Sequence, residues 1–296
     1  MKKYNSEVIL LTKNDHIDEL ECWIEWHSNV VKFDHIVVLD NESTIDAKQI
    51  CDKLNKTNNN KIEYCRIEGW PDQYKLYNDY INKSQSQWIL TIDDDEYLYI
   101  GDKYNGNVND FLSEMSIQYH TNKIYALWLN LMSKDEIQTK QDLYINTHTY
   151  YSFKALRLLS RIWRQDNGWG KCFSNTDYPH YYACCNGRSA GHIPYYIQGC
   201  NDTILVDGQK ILKERLFSVN EINTDCFIAH YQFKTLDDWK IKCSRPLANT
   251  KMFSIRSKEN VYSELYKHKE LFQPFDALKN KWDNYLKTKQ GGIHET

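Results

Sequence analysis

The sequence predicts an α/β fold, a mostly parallel sheet flanked by helices and followed by a C-terminal helical tail. Three observations carry that expectation. Short continuous apolar runs alternate with helix-spaced segments through the first hundred residues, as strands buried on both faces require. The connections between them are short and polar, which suits strand–helix–strand crossovers in a parallel sheet. From residue 236 onward the apolar spacing turns helical.

Taken in order, residues 8–12 form the first apolar strand, and Asn14 or Asp15 caps a helix with Asp18 and Glu19 in its first turn. Ile17, Leu20, Ile24, His27 and Val31 form the inner stripe of that helix. Residues 35–39 are a second strand ending at Asp40, and the turn 41–44 opens a helix near 45–54. A third strand at 62–67, a helix at 74–83 and a fourth strand at 88–92 follow. The second half is less regular. Residues 125–131 and 154–164 read as strands, 168–175 as a glycine-flanked loop, and 204–206 and 226–229 as short strands. Helices are expected at 236–246, 259–272 and 275–287. With no linker or internal repeat, the expected organisation is one domain over 1–246, with a helical extension over 247–296. Within the domain, the regular alternation covers 1–130 and the less regular half 131–246.

Charged residues are 26% of the chain and hydrophobic ones 41%, with 22 Tyr, 10 Phe and 9 Trp, enough large apolar surface to exclude a disordered chain. A formal charge of −3 supplies no global field for nucleic acid. No run approaches the ~18 apolar residues of a membrane span, and residues 1–7 lack the apolar stretch and cleavage site of a secretory leader. The nine Cys are odd in number and include no CxxC pair, so reduced structural thiols are expected rather than disulfides or zinc. These features together point to the cytoplasm. Sequons at Asn41, Asn55, Asn82 and Asn201 are expected by chance in a chain this rich in Asn.

The sharpest chemical feature is Asp93-Asp94-Asp95-Glu96, immediately beyond the fourth strand. Four consecutive acids repel one another unless something positive compensates. On an extended chain Asp93 and Asp95 share one face, and hard carboxylates there suit Mg²⁺ or Mn²⁺ together with phosphate oxygens. Two other strands end in ligand-capable groups, Thr12-Lys13-Asn14-Asp15 and Asp40-Asn41. In parallel sheets ligands bind beyond the carboxyl ends of the strands, so the three motifs should converge on one edge.

These residues resemble a glycosyltransferase of the GT-A fold, a Rossmann-like sheet that uses nucleotide sugars, and in particular its family 2-like and family 92-like members. The resemblance rests on Leu11-Thr12-Lys13-Asn14-Asp15 before Glu21-Cys22-Trp23-Ile24-Glu25-Trp26-His27, and on Asp40-Asn41-Glu42-Ser43-Thr44-Ile45-Asp46. It continues in Asp93-Asp94-Asp95-Glu96-Tyr97 and in Ala229-His230-Tyr231-Gln232-Phe233-Lys234-Thr235, then Lys242 and Arg245. It covers residues 6–130 well, 226–246 moderately and the middle poorly. Asp15 stands where the group has Glu, and Glu42 where it has Gly.

The resemblance implies a metal-dependent hexosyl- or deoxyhexosyltransferase that moves a sugar from a UDP- or GDP-sugar to a hydroxyl of a glycan, glycoprotein or lipid-linked acceptor, with inversion expected. It implies that Thr12, Lys13, Asn14 and Asp40 line the base and ribose pocket. It further implies that Asp93, Asp95 and His230 surround Mn²⁺ or Mg²⁺, with Asp94 and Lys234 also at the donor. A Gly168-Trp169-Gly170-Lys171 loop could present Lys171 to phosphate. Inversion needs a carboxylate base. Asp135, which follows the 125–131 strand, ranks first among Asp135, Glu136, Asp177 and Asp202. His192 is a candidate for the acceptor cleft, whereas Trp23 and Trp26 read as packing residues. Two alternatives remain open. A nucleotidyltransferase or metal-dependent phosphohydrolase would use a similar sheet, although Thr12-Lys13-Asn14-Asp15 lacks the glycine-rich phosphate loop of the former. A non-enzymatic carbohydrate-binding protein would use the Tyr and Trp residues. The basic residues of the tail could contact an acidic acceptor, a homo-oligomer partner or a membrane surface.

Overall fold

The computed structural model describes residues 2–13, 16–57, 61–69, 73–119, 123–159, 170–177, 203–205, 225–244 and 260–291. The strands are β1 (Tyr4–Thr12), β2 (His35–Asp40), β3 (Lys61–Arg66), β4 (Ser86–Asp93), β5 (Glu96–Ile100), β6 (Lys123–Asn130), β7 (Tyr150–Tyr151), β8 (Gly170–Asn175), β9 (Thr203–Leu205), β10 (Cys226–His230) and β11 (Gln273–Pro274). The main sheet runs β3-β2-β1-β4-β8-β6-β10-β5, with β9 beside β6. The first four strands are mutually parallel. β8 runs against both β4 and β6, β10 runs with β6, and β5 runs against β10. The carboxyl ends of β1, β2, β4, β6 and β10 therefore share one edge with the amino ends of β5 and β8.

Both faces of the sheet are buried, which explains the continuous apolar runs. Val8, Leu10, Ile36 and Val38 pack with Leu20, Trp23 and Ile24 of α1 (Ile17–Glu25) and with Ile50 and Leu54 of α2 (Ala47–Asn55). Ile9, Val37, Leu39 and Ile89 face the other way, onto Tyr77 and Ile81 of α3 (Gln73–Ile81). Helix α2 begins where Asp46 accepts a hydrogen bond from the Gln49 N–H. Ile17, expected on the inner stripe of α1, is 51% exposed, because the helix starts only after His16 and Ile17 falls on its outer first turn. After α1 the chain loosens into a π turn, Trp26–Val30.

Two elements differ from the sequence reading. Residues 153–159 are a helix, where a strand was expected over 154–164; the rest of that expectation lies outside the described residues. Ala155, Leu156 and Leu159 are buried at helical spacing, and Ser152 Oγ accepts from the Ala155 N–H to start the turn. Residues 170–175 are the buried strand β8, where a loop was expected. Its glycine marks close approach of two strands: a Cβ on Gly170 would lie 2.0 Å from the Ala126 carbonyl oxygen.

The remaining helices are α4 (Val108–Tyr119), α5 (Tyr144–Thr147), α6 (Phe153–Leu159), α7 (Leu236–Ser244), α8 (Asn260–Tyr266) and α9 (Ala277–Gly291). Met132, Leu156, Phe233, Trp239, Tyr262 and Tyr266 form a second apolar cluster under α7 and α8. Helix α9 returns to the main core, where the Trp282 ring lies 6.5 Å from that of Trp26 and Lys289 pairs with Glu25 at 2.5 Å. Among the described residues, Cys22, Cys51, Cys65, Cys172, Cys226 and Cys243 are free thiols, and no helix is long and apolar enough to cross a membrane.

Candidate active site

The strand ends meet as expected, but the acid run is not extended. The chain bends at Asp94-Asp95 between β4 and β5, so the four carboxylates fan into different surroundings rather than alternating between two faces. Asp93 closes the bend by donating its N–H to Glu96 Oε2 at 3.0 Å. Lys171, at the start of β8, reaches both acids, with its Nζ 2.9 Å from Asp93 Oδ2 and 3.3 Å from Glu96 Oε2. Lys171 is 1% exposed. Burial lowers its proton affinity, but the charges of Asp93 and Glu96 outweigh that and hold its pKa above the usual value. Glu96 is pushed up to about 8 by burial, with Lys171 opposing and Asp93 and Asp95 adding to the rise.

Asp94 accepts a hydrogen bond from Thr12 Oγ1 at 3.2 Å and lies 4.0 Å from Lys234 Nζ. Asp95 is 7% exposed and accepts from Lys242 Nζ at 2.8 Å. Its other oxygen faces His230 Nε2 at 3.6 Å. Burial raises the affinity of Asp95 for a proton, but Lys242, His230 and Lys234 outweigh it and hold the carboxyl well below the usual range. Burial lowers the pKa of His230 against the pull of Asp95, which favours a neutral imidazole. Among the described residues, its buried Nδ1 has no hydrogen-bond partner.

The β1 and β2 ends complete the edge. Asp40 is fully buried and holds its own turn, accepting from the Ser43 N–H at 3.0 Å, Tyr64 Oη at 2.7 Å and Arg66 Nη1 at 3.3 Å. Glu42, which replaces the glycine of the resembling group, adopts φ 53°, a conformation glycine takes without a Cβ penalty. Lys13 Nζ reaches Asn41 Oδ1 at 3.5 Å. Asn14, His192, Asp202 and Arg245 lie outside the described residues.

The structure thus brings together Thr12, Lys13, Asp40, Asp93, Asp94, Asp95, Lys171, His230 and Lys234. Asp135 stands apart: it is exposed on the loop after β6 and pairs with Lys269 at 2.5 Å. Sequence reasoning passed over the roles of Lys242 and Glu96. The unbalanced charge of four adjacent acids was the signal that called for more than one compensating cation.

No group of three or more His, Cys, Asp or Glu among the described residues is arranged to cage a metal ion. The donor set at the edge is the Asp95 carboxylate and the His230 imidazole, 3.6 Å apart, while Asp93 Oδ2 pairs with Lys171 and its Oδ1 accepts from Gln73 at 3.5 Å. That set fits a cation that completes its shell with phosphate oxygens and water, as Mg²⁺ commonly does.

The edge strand β5 is secured from behind. Its backbone groups are capped by side chains of α1 and the π turn. Trp23 Nε1 donates to the Glu96 carbonyl at 2.8 Å, and Trp26 Nε1 to the Leu98 carbonyl at 2.7 Å. The Leu98 N–H donates to His27 Nε2 at 3.2 Å, which makes Nδ1 of that ring the donor to the Trp23 carbonyl at 2.8 Å. Burial drops the His27 pKa to about 3. Trp23 and Trp26 are thus packing residues that also anchor the strand beginning at Glu96.

Residues 26–105 match the family model described as glycosyl transferase family 2. That span runs from the π turn through the acid bend. The match supports a glycosyltransferase. The matched segment ends before β6, β8 and β10, the last two of which carry Lys171 and His230. Three solved structures show partial likeness. The first is Staphylococcus aureus TarS 1-349 in complex with UDP, at 18% identity, 58% of this chain, 47% of that one and TM-score 0.33. The second is the mannosyltransferase PcManGT from Pyrobaculum calidifontis in complex with GDP-Man and Mn²⁺, at 12% identity, 42% and 36% coverage and TM-score 0.34. The third is glucosyl-3-phosphoglycerate synthase from Mycobacterium tuberculosis with phosphoglyceric acid, at 10% identity, 59% and 58% coverage and TM-score 0.33. The chain spans about half the length of TarS 1-349. At these scores the likenesses add nothing to the assignment of a substrate. The curated proteins contain no match to this chain.

Proposed function

We propose that the chain transfers a sugar from a nucleoside-diphosphate sugar, UDP- or GDP-linked, to a hydroxyl of a glycan or glycoconjugate, within a single catalytic domain over 1–246. The observation that carries this reading is the edge itself: Thr12, Asp40, the Asp93–Glu96 bend and His230 meet there beside Lys234 and Lys242. Acids alone would repel a diphosphate, whereas acids already paired with lysine ammoniums can exchange those partners for phosphate oxygens and a cation.

In this reading Thr12, Lys13, Asn14 and the turn held by Asp40 line the base and ribose pocket. Asp95 and His230 hold Mn²⁺ or Mg²⁺, which when bound would neutralise charge developing on the leaving diphosphate. Lys234 and Lys242 add positive charge at the same oxygens. Lys171 acts from beneath, pairing with Asp93 and Glu96 and holding the bend closed. Inversion requires a carboxylate within hydrogen-bond reach of the attacking hydroxyl. Asp135 and Glu136 are the candidates on the loop after β6. Asp135 is engaged by Lys269 at 2.5 Å, whereas Glu136 lines the cavity formed by that loop.

The test is incubation with a panel of UDP- and GDP-sugars, with Mn²⁺ or with chelator, and detection of the released nucleoside diphosphate. Metal-dependent release from one donor is expected. Pyrophosphate release from a nucleoside triphosphate and a sugar phosphate, with no diphosphate release from any sugar nucleotide, would replace this reading with a nucleotidyltransferase.

A further inference from the structure

Lys234 lies on the short link between β10 and α7, and the α5 segment grips it at both ends. At the backbone, His148 Nε2 faces the Lys234 carbonyl at 2.7 Å and the Phe233 carbonyl at 3.1 Å, so that nitrogen carries the ring proton. Burial lowers the His148 pKa to about 4 and keeps the imidazole neutral. At the tip, the Lys234 ammonium lies 5.2 Å from the centre of the Tyr144 ring and 4.0 Å from Asp94 Oδ1. The carboxylate distance is long beside the roughly 2.7–2.9 Å of a charge-assisted hydrogen bond. The ring distance lies within the reach of about 6 Å for a cation over an aromatic face.

The Tyr144 ring is itself fixed. It is 2% exposed and tied to two helices. Its N–H donates to Glu19 Oε1 of α1 at 2.8 Å, and its hydroxyl donates to Asp238 Oδ2 of α7 at 2.6 Å. Burial raises the pKa of that hydroxyl, with Lys234 opposing and Asp238 adding to the rise, so it stays protonated as a donor. Asp238 is held in turn by Thr235 Oγ1 at 2.5 Å and His16 Nε2 at 3.2 Å. Lys140, whose ammonium is 5.6 Å from the same ring centre, pairs with Asp18 and Glu19 of α1. A lysine stem loses rotamer freedom when its ammonium is held in one place, and a ring already fixed on both sides supplies the hold before a ligand arrives.

We infer that Tyr144 is a positioning residue whose buried ring holds the Lys234 ammonium at the acid bend, where it meets the oxygens of a diphosphate. The meeting with a diphosphate rests on the glycosyltransferase reading; the hold on Lys234 does not. Two measurements on the full chain separate them. The first is the lysine Cε–Hε NMR spectrum, with Lys234 assigned through Lys234→Met. A ring face shifts nearby protons upfield, so the Lys234 signal should lie upfield of an exposed lysine in the unaltered chain and in Tyr144→Phe, and return to the exposed position in Tyr144→Leu. The second is calorimetric titration of UDP and GDP with Mn²⁺, with melting temperature as the fold control. Tyr144→Leu should weaken nucleotide binding about threefold to fivefold and Tyr144→Phe less than about twofold, since the ring is kept. In a Lys234→Met background Tyr144→Leu should add no further loss, because residues that act through one contact are not additive.

A Lys234 signal at the exposed position in the unaltered chain overturns the hold whether or not Tyr144→Leu folds, as does a signal that Tyr144→Leu leaves unmoved. A moved signal with unchanged nucleotide affinity, or equal losses in both backgrounds, overturns the positioning role. Failure of UDP and GDP to bind the unaltered chain removes the transferase reading and that role with it, while the lysine signal still decides the hold.

Discussion

The Lys171 ammonium lies 2.9 Å from Asp93 Oδ2 and is almost completely buried, so the first acid of the bend is neutralised from inside the protein. Glu96 shares the same cation at 3.3 Å. Lys171→Met would leave the fully buried Glu96 and the adjoining Asp93 without their cation. Removing one partner of a buried pair costs about 3–5 kcal/mol, and urea denaturation should show a loss of that order. The double variant Lys171→Met/Glu96→Gln should recover part of it. Equal stability of the single variant and the parent would show that Lys171 does not hold the bend.

Glu96 also predicts a pH dependence. Its folded pKa, pushed up to about 8 by burial, lies above the ordinary 4.5. The folded state therefore binds the proton over that interval while the unfolded chain has released it. This contribution to stability is fully present below pH 4.5 and is lost as pH rises through about 8. Urea midpoints measured from pH 5 to 9 should fall with rising pH in the parent and fall less in Glu96→Gln. Parallel curves would contradict the assignment.

The capping of β5 by Trp23 makes a prediction about the strand edge. Trp23→Phe keeps most of the packing but leaves the buried Glu96 carbonyl without its 2.8 Å donor. An unsatisfied buried acceptor costs about 1–3 kcal/mol. Hydrogen exchange at β5 amides should speed up along with that loss, whereas exchange in β1 to β3 should change only through the global term. Uniform acceleration throughout the sheet would argue against a local anchor.

These contacts explain which parts were legible in sequence. Strands β1, β2 and β4 were readable because Val8, Ile9 and Leu10, or Ile36, Val37 and Val38, are buried on alternating faces and leave no polar gap. Strand β8 was not, because its buried Lys171 and its flanking Gly170 imitate a loop; the cation is intelligible only once Asp93 and Glu96 stand beside it. Helix α6 was misread for the opposite reason: Lys154 and Arg157 interrupt an apolar run whose spacing is helical. The strand-end acids, His230 and Lys234 were legible from motif order. The Asp95–Lys242 pair joins residues 147 apart, and only the fold brings them together.

Lys234 tests the electrostatics of the edge. Its ammonium lies 4.0 Å from Asp94 Oδ1 and 5.2 Å from the centre of the Tyr144 ring. Lys234→Met should weaken binding of a nucleoside diphosphate by about tenfold, in line with loss of one charge-assisted hydrogen bond of ~1.5–3 kcal/mol. The dependence of affinity on salt should become shallower. An unchanged affinity would place Lys234 outside the donor site.

The most direct test of the central claim is calorimetric titration of UDP and GDP, each with Mn²⁺, into the unaltered chain and into Asp95→Ala. Binding of at least one nucleotide is expected, at least tenfold weaker in Asp95→Ala and dependent on the metal. Failure of both nucleotides to bind the unaltered chain, or binding indifferent to loss of Asp95, would contradict it.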